Sequence, residues 1–315
     1  MKHYTLKNGD QFPAIGLGTW KSRPGEVKEA VIHAIKSGYR HIDCAAIYMN
    51  EKEIGEAFRY CFENNIVKRE ELWITSKLWN NAHLRDDVRP AIKNTLADLQ
   101  LDYLDLYIIH WPVAFKPEKL NAPNAEDYLS LEEAPIIETW RGMEEIQSVG
   151  LAKHIGVSNF SIKKLDDLYS KATYKPEVNQ VELHPYLQQK ELFDYCSQKN
   201  IILTGYSPLG SGDRSEGMKK DDEPSLLENK TINKVANKHN ASPAQVLISW
   251  HVHRGNVVIP KSTNPSRIEQ NLASIALQLD DEDLKTIESL DRHYRYVDGR
   301  FFVKEGNSYS NIYDE

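Results

Sequence analysis

The chain has 315 residues, of which 40% are hydrophobic and 27% are charged, and its formal net charge is -7 at pH 7. This composition is typical of a globular protein with a sizeable core, and the acidic balance argues against nucleic acid or an anionic membrane surface as the main partner. No apolar run approaches the ~18 residues that a membrane span needs.

The chain begins with a hairpin pattern. Residues 4–6 and 11–13 are patterned like short strands, and the Asn8-Gly9 pair between them is a turn signal. Eight apolar or β-branched strand patterns follow, at residues 15–17, 41–43, 72–77, 104–109, 154–158, 177–181, 202–206 and 257–259. Helical patterns lie between most of them, at residues 26–37, 51–64, 87–99, 161–171 and 243–253.

This alternation of strands and helices predicts an α/β fold, with a parallel sheet that is covered by helices. Eight such units predict a closed (β/α)8 TIM barrel rather than an open, doubly wound sheet. No low-complexity tract or linker of Pro, Gly and Ser interrupts the pattern. We therefore expect residues 1–315 to form a single barrel domain with an N-terminal β-hairpin.

Three segments are longer than the barrel repeat requires. They are residues 113–135 after the fourth strand, 209–228 after the seventh strand and 293–315 at the end of the chain. Because the two internal segments follow strands, they belong to the barrel face that carries active sites. We expect these long active-face loops to form the walls and lid of a pocket, and the tail to wrap its mouth.

Polar side chains mark the same face. Asp43, Lys77 and His110 each stand at the end of a predicted strand, and Tyr48 lies just beyond one. Taken singly, each has an ordinary structural explanation; Asp43, for example, could cap the next helix. Polar residues that gather at the carboxyl ends of barrel strands are, however, typical of catalytic groups. Their joint placement predicts an active site.

These residues lie in longer motifs. GYRHIDCA at residues 38–45 precedes Tyr48 and Glu51, and further motifs are LYIIHWP at 106–112, GVSNF at 156–160, NQVE at 179–182, YSPLG at 206–210 and IPKS at 259–262. In this order and spacing, the chain resembles the aldo-keto reductase family over essentially its whole length. Three tryptophans and the segments WRGMEEI and SPAQ resemble the aldehyde, aldose and xylose reductase branch of that family.

The resemblance implies an NADP-dependent oxidoreductase that reduces aldehydes, aldoses among them, to alcohols by hydride transfer. Tyr48 would donate the proton. A lysine cation ~4 Å away is worth ~4 kcal/mol at an effective dielectric of ~20, which would lower the tyrosine pKa by ~3 units before burial opposes it. Lys77 would supply that cation and Asp43 would pair with it, while His110 would orient the carbonyl and stabilise its oxygen.

The cofactor site is expected within the barrel, because Gly16-Leu17-Gly18 lacks the third glycine of a Rossmann fingerprint and no Walker sequence occurs. Two cations retained after strand eight of an acidic protein favour NADP(H), with NAD(H) left open. Asp213 could latch its loop to Lys21 and Lys261. The contacts that the resemblance implies are Ser158, Asn159 and Gln180 at the nicotinamide carboxamide, Tyr206 at its ring, Ser207, Leu209, Ser211 and Asp213 over the pyrophosphate, Lys261, Ser262, Thr263 and Arg267 at the 2′-phosphate and ribose, and Gln270 and Asn271 at the adenine.

The substrate site is expected among aromatic residues. Trp20, Trp79 and Trp111 each follow a predicted strand, and the resemblance places them with His110 around the substrate. Phe115 and the tail residues Phe301, Phe302 and Tyr309 could complete this wall. No metal site is expected, because His251 and His253 are two positions apart on a helical pattern and therefore diverge.

Other functions remain open on the same pattern. A ketosugar or sugar-phosphate reductase would need extra cations, which Lys116, Lys119 and Arg300 could supply. A cofactor-sensing module would not need Tyr48 as a proton donor, and a phosphate-binding isomerase would leave the nicotinamide contacts unexplained.

We expect a small carbonyl compound as the partner, and a monomer or weak dimer. Cys44, Cys61 and Cys196 form no C-x-x-C pair, and the N-terminus has no apolar signal segment. Both observations favour reduced thiols and a cytoplasmic location.

Overall fold

The computed structural model describes residues 2–314, so that Met1 and Glu315, the two ends of the predicted domain, lie outside the described residues. The strands in chain order are β1 (His3–Thr5), β2 (Gln11–Pro13), β3 (Leu17–Gly18), β4 (His41–Asp43), β5 (Trp73–Leu78), β6 (Leu104–Ile109), β7 (Ala114–Phe115), β8 (Tyr128–Leu129), β9 (Ala152–Ser158), β10 (Val178–Glu182), β11 (Ile202–Tyr206) and β12 (Val257–Val258). The helices are α1 (Val27–Ser37), α2 (Glu51–Glu63), α3 (Arg85–Leu99), α4 (Ile136–Ser148), α5 (Ile162–Lys171), α6 (Lys190–Lys199), α7 (Lys230–Lys238), α8 (Pro243–Arg254), α9 (Pro265–Ala273) and α10 (Asp281–Glu288).

Eight of these strands form one parallel sheet in chain order, β3-β4-β5-β6-β9-β10-β11-β12. Parallel bridges from Ile15 to Val258 and from Gly18 to Lys261 join its first and last strands. The sheet therefore closes, and the predicted (β/α)8 barrel is confirmed. The first barrel strand begins at Leu17 rather than at the predicted Ile15, which makes only an isolated bridge.

The N-terminal hairpin is also confirmed. Strands β1 and β2 pair antiparallel, with Thr5 opposite Gln11, and β1 lies one residue earlier than predicted. The backbone N–H of Asp10 donates to Asn8 Oδ1 at 3.0 Å inside the turn, and Gly9 adopts a φ of 97° that favours glycine. Phe12 stacks on Trp73, the first residue of β5, with a centroid distance of 4.5 Å. The hairpin therefore covers the amino-terminal end of the barrel.

Local signals in the sequence set several helix boundaries. Helix α8 begins with a capping box, in which the Ser242 side chain accepts from the N–H of Gln245 and the Gln245 side chain accepts from the N–H of Ser242. Pro243 occupies its first turn, and Gly255 ends it in the left-handed region with a φ of 87°. All five predicted helices are present, with boundaries that differ by at most two residues.

The core lies between the barrel and its helices. Every residue of β5 and β6 is buried, because the strands face side chains inside the barrel and helices outside it. Gly55 of α2 touches α3 so closely that a Cβ atom there would lie 2.3 Å from the carbonyl oxygen of Asp98. This glycine lets the two outer helices approach each other.

The three long segments cover the carboxyl end of the barrel. Residues 113–135 contain the β7–β8 hairpin, residues 209–228 form what we call the cofactor-side loop, and residues 293–314 form the tail. The tail buries Phe302, Tyr309 and Ile312, and Tyr309 Oη donates to the Leu129 carbonyl of β8 at 2.8 Å. The expected wrapping of the tail around the mouth is confirmed for its described residues. Among residues 2–314, no helix is long and apolar enough to cross a membrane.

Candidate active site

One cavity of about 1280 Å³ opens at the carboxyl ends of the barrel strands. Catalytic candidates, aromatic side chains and phosphate-binding candidates share its wall. The predicted residues that line it are Trp20, Asp43, Tyr48, Trp79, His110, Trp111, Ser158, Asn159, Gln180, Tyr206, Ser207, Leu209, Ser211, Asp213, Lys261, Ser262, Thr263, Arg267, Gln270 and Asn271. The remaining predicted catalytic residue, Lys77, lies behind the wall, where its side chain is fully buried.

A buried ion pair forms the floor of the cavity. Lys77 Nζ lies 2.5 Å from Asp43 Oδ1 and donates to the Cys44 carbonyl at 2.7 Å, while Gln180 Nε2 donates to Asp43 Oδ2 at 2.8 Å. Burial works to lower the pKa of Lys77, but the charge of the Asp43 carboxylate and its hydrogen bond to Nζ raise the pKa above its ordinary value. The lysine is therefore charged although no water reaches it.

Tyr48 lies directly above this pair, at the end of a 3-10 turn (Ala46–Tyr48) that follows β4. Lys77 Nζ is 5.0 Å from the centroid of its ring. Burial raises the pKa of Tyr48 to about 12, although the Lys77 cation works to lower it. The expected lowering of the Tyr48 pKa toward neutrality is therefore wrong for the described residues alone. The cost of burying the phenolate outweighs the effect of the single Lys77 cation. Tyr48 is protonated at neutral pH.

His110 completes the catalytic end. Its ring meets Tyr48 edge to face at a centroid distance of 5.8 Å. Burial, assisted by the Lys77 cation, lowers its pKa well below the ordinary value. The imidazole is therefore neutral, and it can donate one hydrogen bond to an oxygen without bringing a second charge into the cavity.

The next part of the wall offers amide and hydroxyl groups. Asn159 Nδ2 donates to the His110 carbonyl at 3.0 Å, and Tyr206 Oη donates to Asn159 Oδ1 at 2.8 Å. Ser158 Oγ donates to the Gln180 carbonyl at 2.7 Å. Asn159 has a φ of 65°, a left-handed conformation that its surroundings must hold in place. Such amide and hydroxyl groups can donate hydrogen bonds to a carboxamide and accept hydrogen bonds from it.

The far end of the cavity carries cations. Lys261 and Arg267 stand at and after the end of the last barrel strand, where Asn264 caps α9 by accepting from the Arg267 N–H at 3.1 Å. Asp213 of the cofactor-side loop lies 2.7 Å from Lys21 Nζ and 3.7 Å from Lys261 Nζ. The structure therefore joins the three residues of the hypothesised latch. A dinucleotide phosphate fits this end, since a helix N-terminus and several cations face it.

Aromatic rings surround the catalytic end. Trp79 meets His110 at a centroid distance of 5.2 Å, Trp20 meets Tyr48 at 6.4 Å, and Trp111 packs on Phe302 of the tail at 5.0 Å. Phe115 and Phe301 also line the cavity, whereas Tyr309 braces β7 and β8 and does not line it. Trp79 Nε1 donates to the Leu120 carbonyl at 2.8 Å, which ties the ring to a long loop.

Sequence reasoning missed part of the wall. Most of these residues come from turns and long loops, where no hydrophobic periodicity marks them. Pro208, Ile259 and Pro260 lie in the motifs YSPLG and IPKS, and residues 242–244 lie in SPAQ, but none of these residues is assigned a lining role from the sequence. The unpredicted lining residues are Gly18, Thr19, Ile47, Asn121, Ala122, Pro123, Tyr128, Pro208, Gly212, Met218, Leu227, Ser242, Pro243, Ala244, Ile259, Pro260, Asn264 and Val297.

This barrel and its cavity resemble those of one family of known proteins. The family model described as "Aldo/keto reductase family" matches residues 14–292. An aldo/keto reductase of Synechocystis sp. is 52% identical over 317 residues, which cover 100% of this chain and 97% of that protein. Aldo-keto reductase family 1 member A1 is 50% identical in Gallus gallus and 47% identical in Homo sapiens, each over 93% of this chain and covering 89% and 90% of those proteins.

The chain belongs to the aldo/keto reductase family. It is therefore an enzyme that reduces carbonyl groups with a nicotinamide cofactor. These similarities do not favour the alternatives of a cofactor-sensing module, a phosphate-binding isomerase or a ketosugar or sugar-phosphate reductase.

Proposed function

We propose that this enzyme reduces uncharged aldehydes to primary alcohols with NADPH, and that Tyr48 donates the proton. The observation that carries the proposal is the buried Asp43–Lys77 ion pair beneath Tyr48 and beside neutral His110. This set stands at one end of a cavity whose other end carries Lys261 and Arg267.

The proposed mechanism divides the work among four side chains. When bound, the nicotinamide supplies a hydride to the carbonyl carbon. His110 donates a hydrogen bond to the carbonyl oxygen and holds it beside Tyr48, whose hydroxyl gives up its proton as negative charge grows on that oxygen. The Lys77 cation stabilises the phenolate that remains, and Asp43 keeps Lys77 charged and fixed.

The phosphate end supports NADPH rather than NADH. Arg267 is exposed beside the N-terminus of α9, and Lys261 reaches the same end of the cavity. A guanidinium can bind a phosphate through two parallel hydrogen bonds and can stack on an adenine ring. The 2′-phosphate is the group that distinguishes NADPH, so these two cations give a reason for selectivity.

The substrate end supports an uncharged, flat or apolar aldehyde. Trp20, Trp79 and Trp111 form its wall, and the cations that a sugar-phosphate reductase would need point elsewhere. Lys119 pairs with Asp127 at 2.8 Å, Arg300 pairs with Asp298 at 3.2 Å, and none of Lys116, Lys119 and Arg300 lines the cavity. A phosphate would lose hydration there without gaining a cation, which is costly.

The proposal is tested by following NADPH or NADH oxidation with benzaldehyde, an aldose and a sugar phosphate. We expect benzaldehyde to give the highest kcat/KM, and the sugar phosphate the lowest. Arg267→Ala should weaken NADPH binding about 10-fold to 100-fold, the loss typical of a charged hydrogen bond. It should weaken NADH binding much less, because NADH has the adenine ring but lacks the 2′-phosphate. A wild-type enzyme that binds NADPH but reduces none of these aldehydes would contradict the proposal and favour a cofactor sensor.

We also propose a cytoplasmic location. All three cysteines are buried and unpaired, which fits a reducing compartment.

A further inference from the structure

The cofactor-side loop and the tail meet at one short segment, Tyr296–Val297. Glu182, the last residue of β10, holds this segment from the barrel side: its Oε1 accepts from the Tyr296 N–H at 2.7 Å and its Oε2 accepts from the Val297 N–H at 2.8 Å. His184 Nε2 lies 2.8 Å from the same carboxylate, and both side chains are fully buried. A buried carboxylate with these partners holds the segment rigidly, because no water can replace them.

Arg214 holds the same segment from the loop side. Its side chain is fully buried, and Nη1 donates to the Tyr296 carbonyl and to the Met218 carbonyl at 2.8 Å. Nε donates to the Ser211 carbonyl at 3.1 Å, and Nη2 is ion-paired with Glu223. The guanidinium thus fixes the fold of the loop and binds the tail with the same group.

A second link runs between the same elements. Tyr296 Oη donates to the Pro224 carbonyl of the loop at 2.6 Å, and its ring lies 5.3 Å from the Arg214 guanidinium. Gly210 leaves room for this ring, since a Cβ atom there would come within 3.2 Å of Tyr296. The loop cannot move away from the barrel without moving Tyr296.

The joined elements face opposite ends of the cavity. Ser211 and Asp213 of the loop line the cofactor end, and Asp213 carries the ion pairs to Lys21 and Lys261. Val297 and Phe302 of the tail line the substrate end. A dinucleotide that holds the loop in place would therefore also hold the tail segment that forms the wall of the substrate end.

We propose that Arg214 is a positioning residue that transmits closure of the cofactor-side loop to the substrate wall, so that bound NADP⁺ pre-forms the aldehyde site. The inference rests on the proposed function for the identity of the two ligands. A coupling of this kind is reciprocal: the factor by which cofactor tightens substrate binding equals the factor by which substrate tightens cofactor binding. Arg214 touches neither ligand in this role.

The test is calorimetric titration of the holoenzyme and the cofactor-free enzyme with 4-nitrobenzamide, an unreactive analogue of an aromatic aldehyde. In the wild type, we expect saturating NADP⁺ to tighten analogue binding by about fivefold or more. Arg214→Lys retains a positive charge, but an ammonium cannot reach four separate acceptors as the guanidinium fork does. We expect the tightening to fall below about twofold in this variant, and the reciprocal effect of the analogue on NADP⁺ to fall equally.

The matched control is Lys220→Met. Lys220 is a more exposed cation of the same loop, and it also reaches the tail, with Nζ 3.3 Å from Asp298. Because Lys220 makes this ion pair with Asp298 and does not hold Tyr296 or Val297, the segment that joins loop and wall, this variant should keep the wild-type coupling. Should Arg214→Lys fail to fold, Tyr296→Phe removes only the bond to Pro224 and should still lower the coupling measurably.

Wild-type coupling in a well-folded Arg214→Lys enzyme would overturn the inference, as would unchanged coupling in Tyr296→Phe or a wild type without coupling. These outcomes are separate from those of the proposed function. A wild type that shows the coupling but reduces no aldehyde would remove the proposed function and leave the inference standing. If the wild type reduces aldehydes and Arg214→Lys keeps the coupling, the inference is removed and the proposed function stands.

Discussion

Tyr48 combines a high pKa with a nearby cation, and both properties serve the proposed reaction. Burial raises its pKa to about 12, so the hydroxyl retains its proton until an acceptor arrives. The Lys77 cation, 5.0 Å from the ring centroid, then acts on the phenolate that proton transfer creates. The neutral state of His110 follows from the same burial and the same cation. One lysine therefore influences the protonation of both groups that would contact the carbonyl oxygen.

Glu51 shows how burial near this site affects stability. This first residue of α2 is buried and accepts a hydrogen bond from Ser76 Oγ at 2.5 Å, beside Lys77 in β5. Burial raises its pKa from 4.5 to about 7. The folded state therefore prefers the protonated form, and stability is lost as the pH rises from the unfolded pKa to the folded one.

Glu51→Gln should remove this penalty, because glutamine does not ionise. We expect the variant to gain up to about 3 kcal/mol in the free energy of unfolding, relative to the wild type, between about pH 5 and about pH 8. Urea unfolding at the two pH values measures the difference. Glu56→Gln, on the exposed side of the same helix, is the control and should show little change. An equal difference between Glu51→Gln and wild type at both pH values would contradict the assigned cause.

At the scale of elements, the latch hypothesis predicts that the cofactor-side loop controls release of the cofactor. Asp213 is half-exposed, and its pairs with Lys21 and Lys261 lie at 2.7 and 3.7 Å. Asp213→Asn removes the charge that joins the loop to the two lysines. We expect NADPH release, followed by stopped-flow fluorescence, to become about threefold to tenfold faster, since exposed ion pairs of this kind contribute about 1 kcal/mol. Asp221→Asn, in the same loop, should release NADPH at the wild-type rate; equal rates in both variants would reject the latch.

The tail should contribute chiefly to substrate binding. Phe302 is buried and packs on Trp111 with a centroid distance of 5.0 Å and on Phe115 at 5.8 Å. Phe302→Ala leaves a void in the aromatic wall and should cost about 3 kcal/mol of stability. We expect the KM for benzaldehyde to rise about tenfold, with a much smaller change in the KM for NADPH, because one lost aromatic contact of this size is worth about 1.4 kcal/mol or more. An unchanged KM for benzaldehyde in the folded variant would show that the tail does not reach the substrate.

At the scale of the whole molecule, the barrel could be predicted because its signals are local and repeated. The Asn8-Gly9 turn, the Ser242–Gln245 capping box and eight apolar runs each specify structure within a few residues. Closure of the barrel is harder to predict, because it depends on pairing between residues as distant as Ile15 and Val258. The predicted first strand accordingly begins two residues before the observed start at Leu17. Pairing between distant segments leaves no periodic trace in either one.

The residues of the site likewise differ in whether the sequence could predict them. Asp43, Lys77 and His110 could be predicted to lie together because strand ends bring them to one face, and the proposed cofactor contacts could be named because they lie in motifs. The clamp of Glu182 and Arg214 on Tyr296 could not be found, since those bonds span 114 and 82 positions and join a strand, a loop and a tail. The pKa of Tyr48 was also mispredicted, because the balance between one cation and desolvation depends on how completely the ring is covered.

The measurement that bears most directly on the proposed function is a comparison of wild type with Tyr48→Phe, in single turnovers with NADPH and benzaldehyde. The phenylalanine keeps the ring and removes only the proton donor. We expect the rate of the chemical step to fall by about 10²-fold to 10⁴-fold, the usual contribution of a general acid, while the dissociation constant for NADPH stays within about twofold. A variant that binds NADPH and reduces benzaldehyde at the wild-type rate would contradict the assignment of Tyr48 and the mechanism built on it.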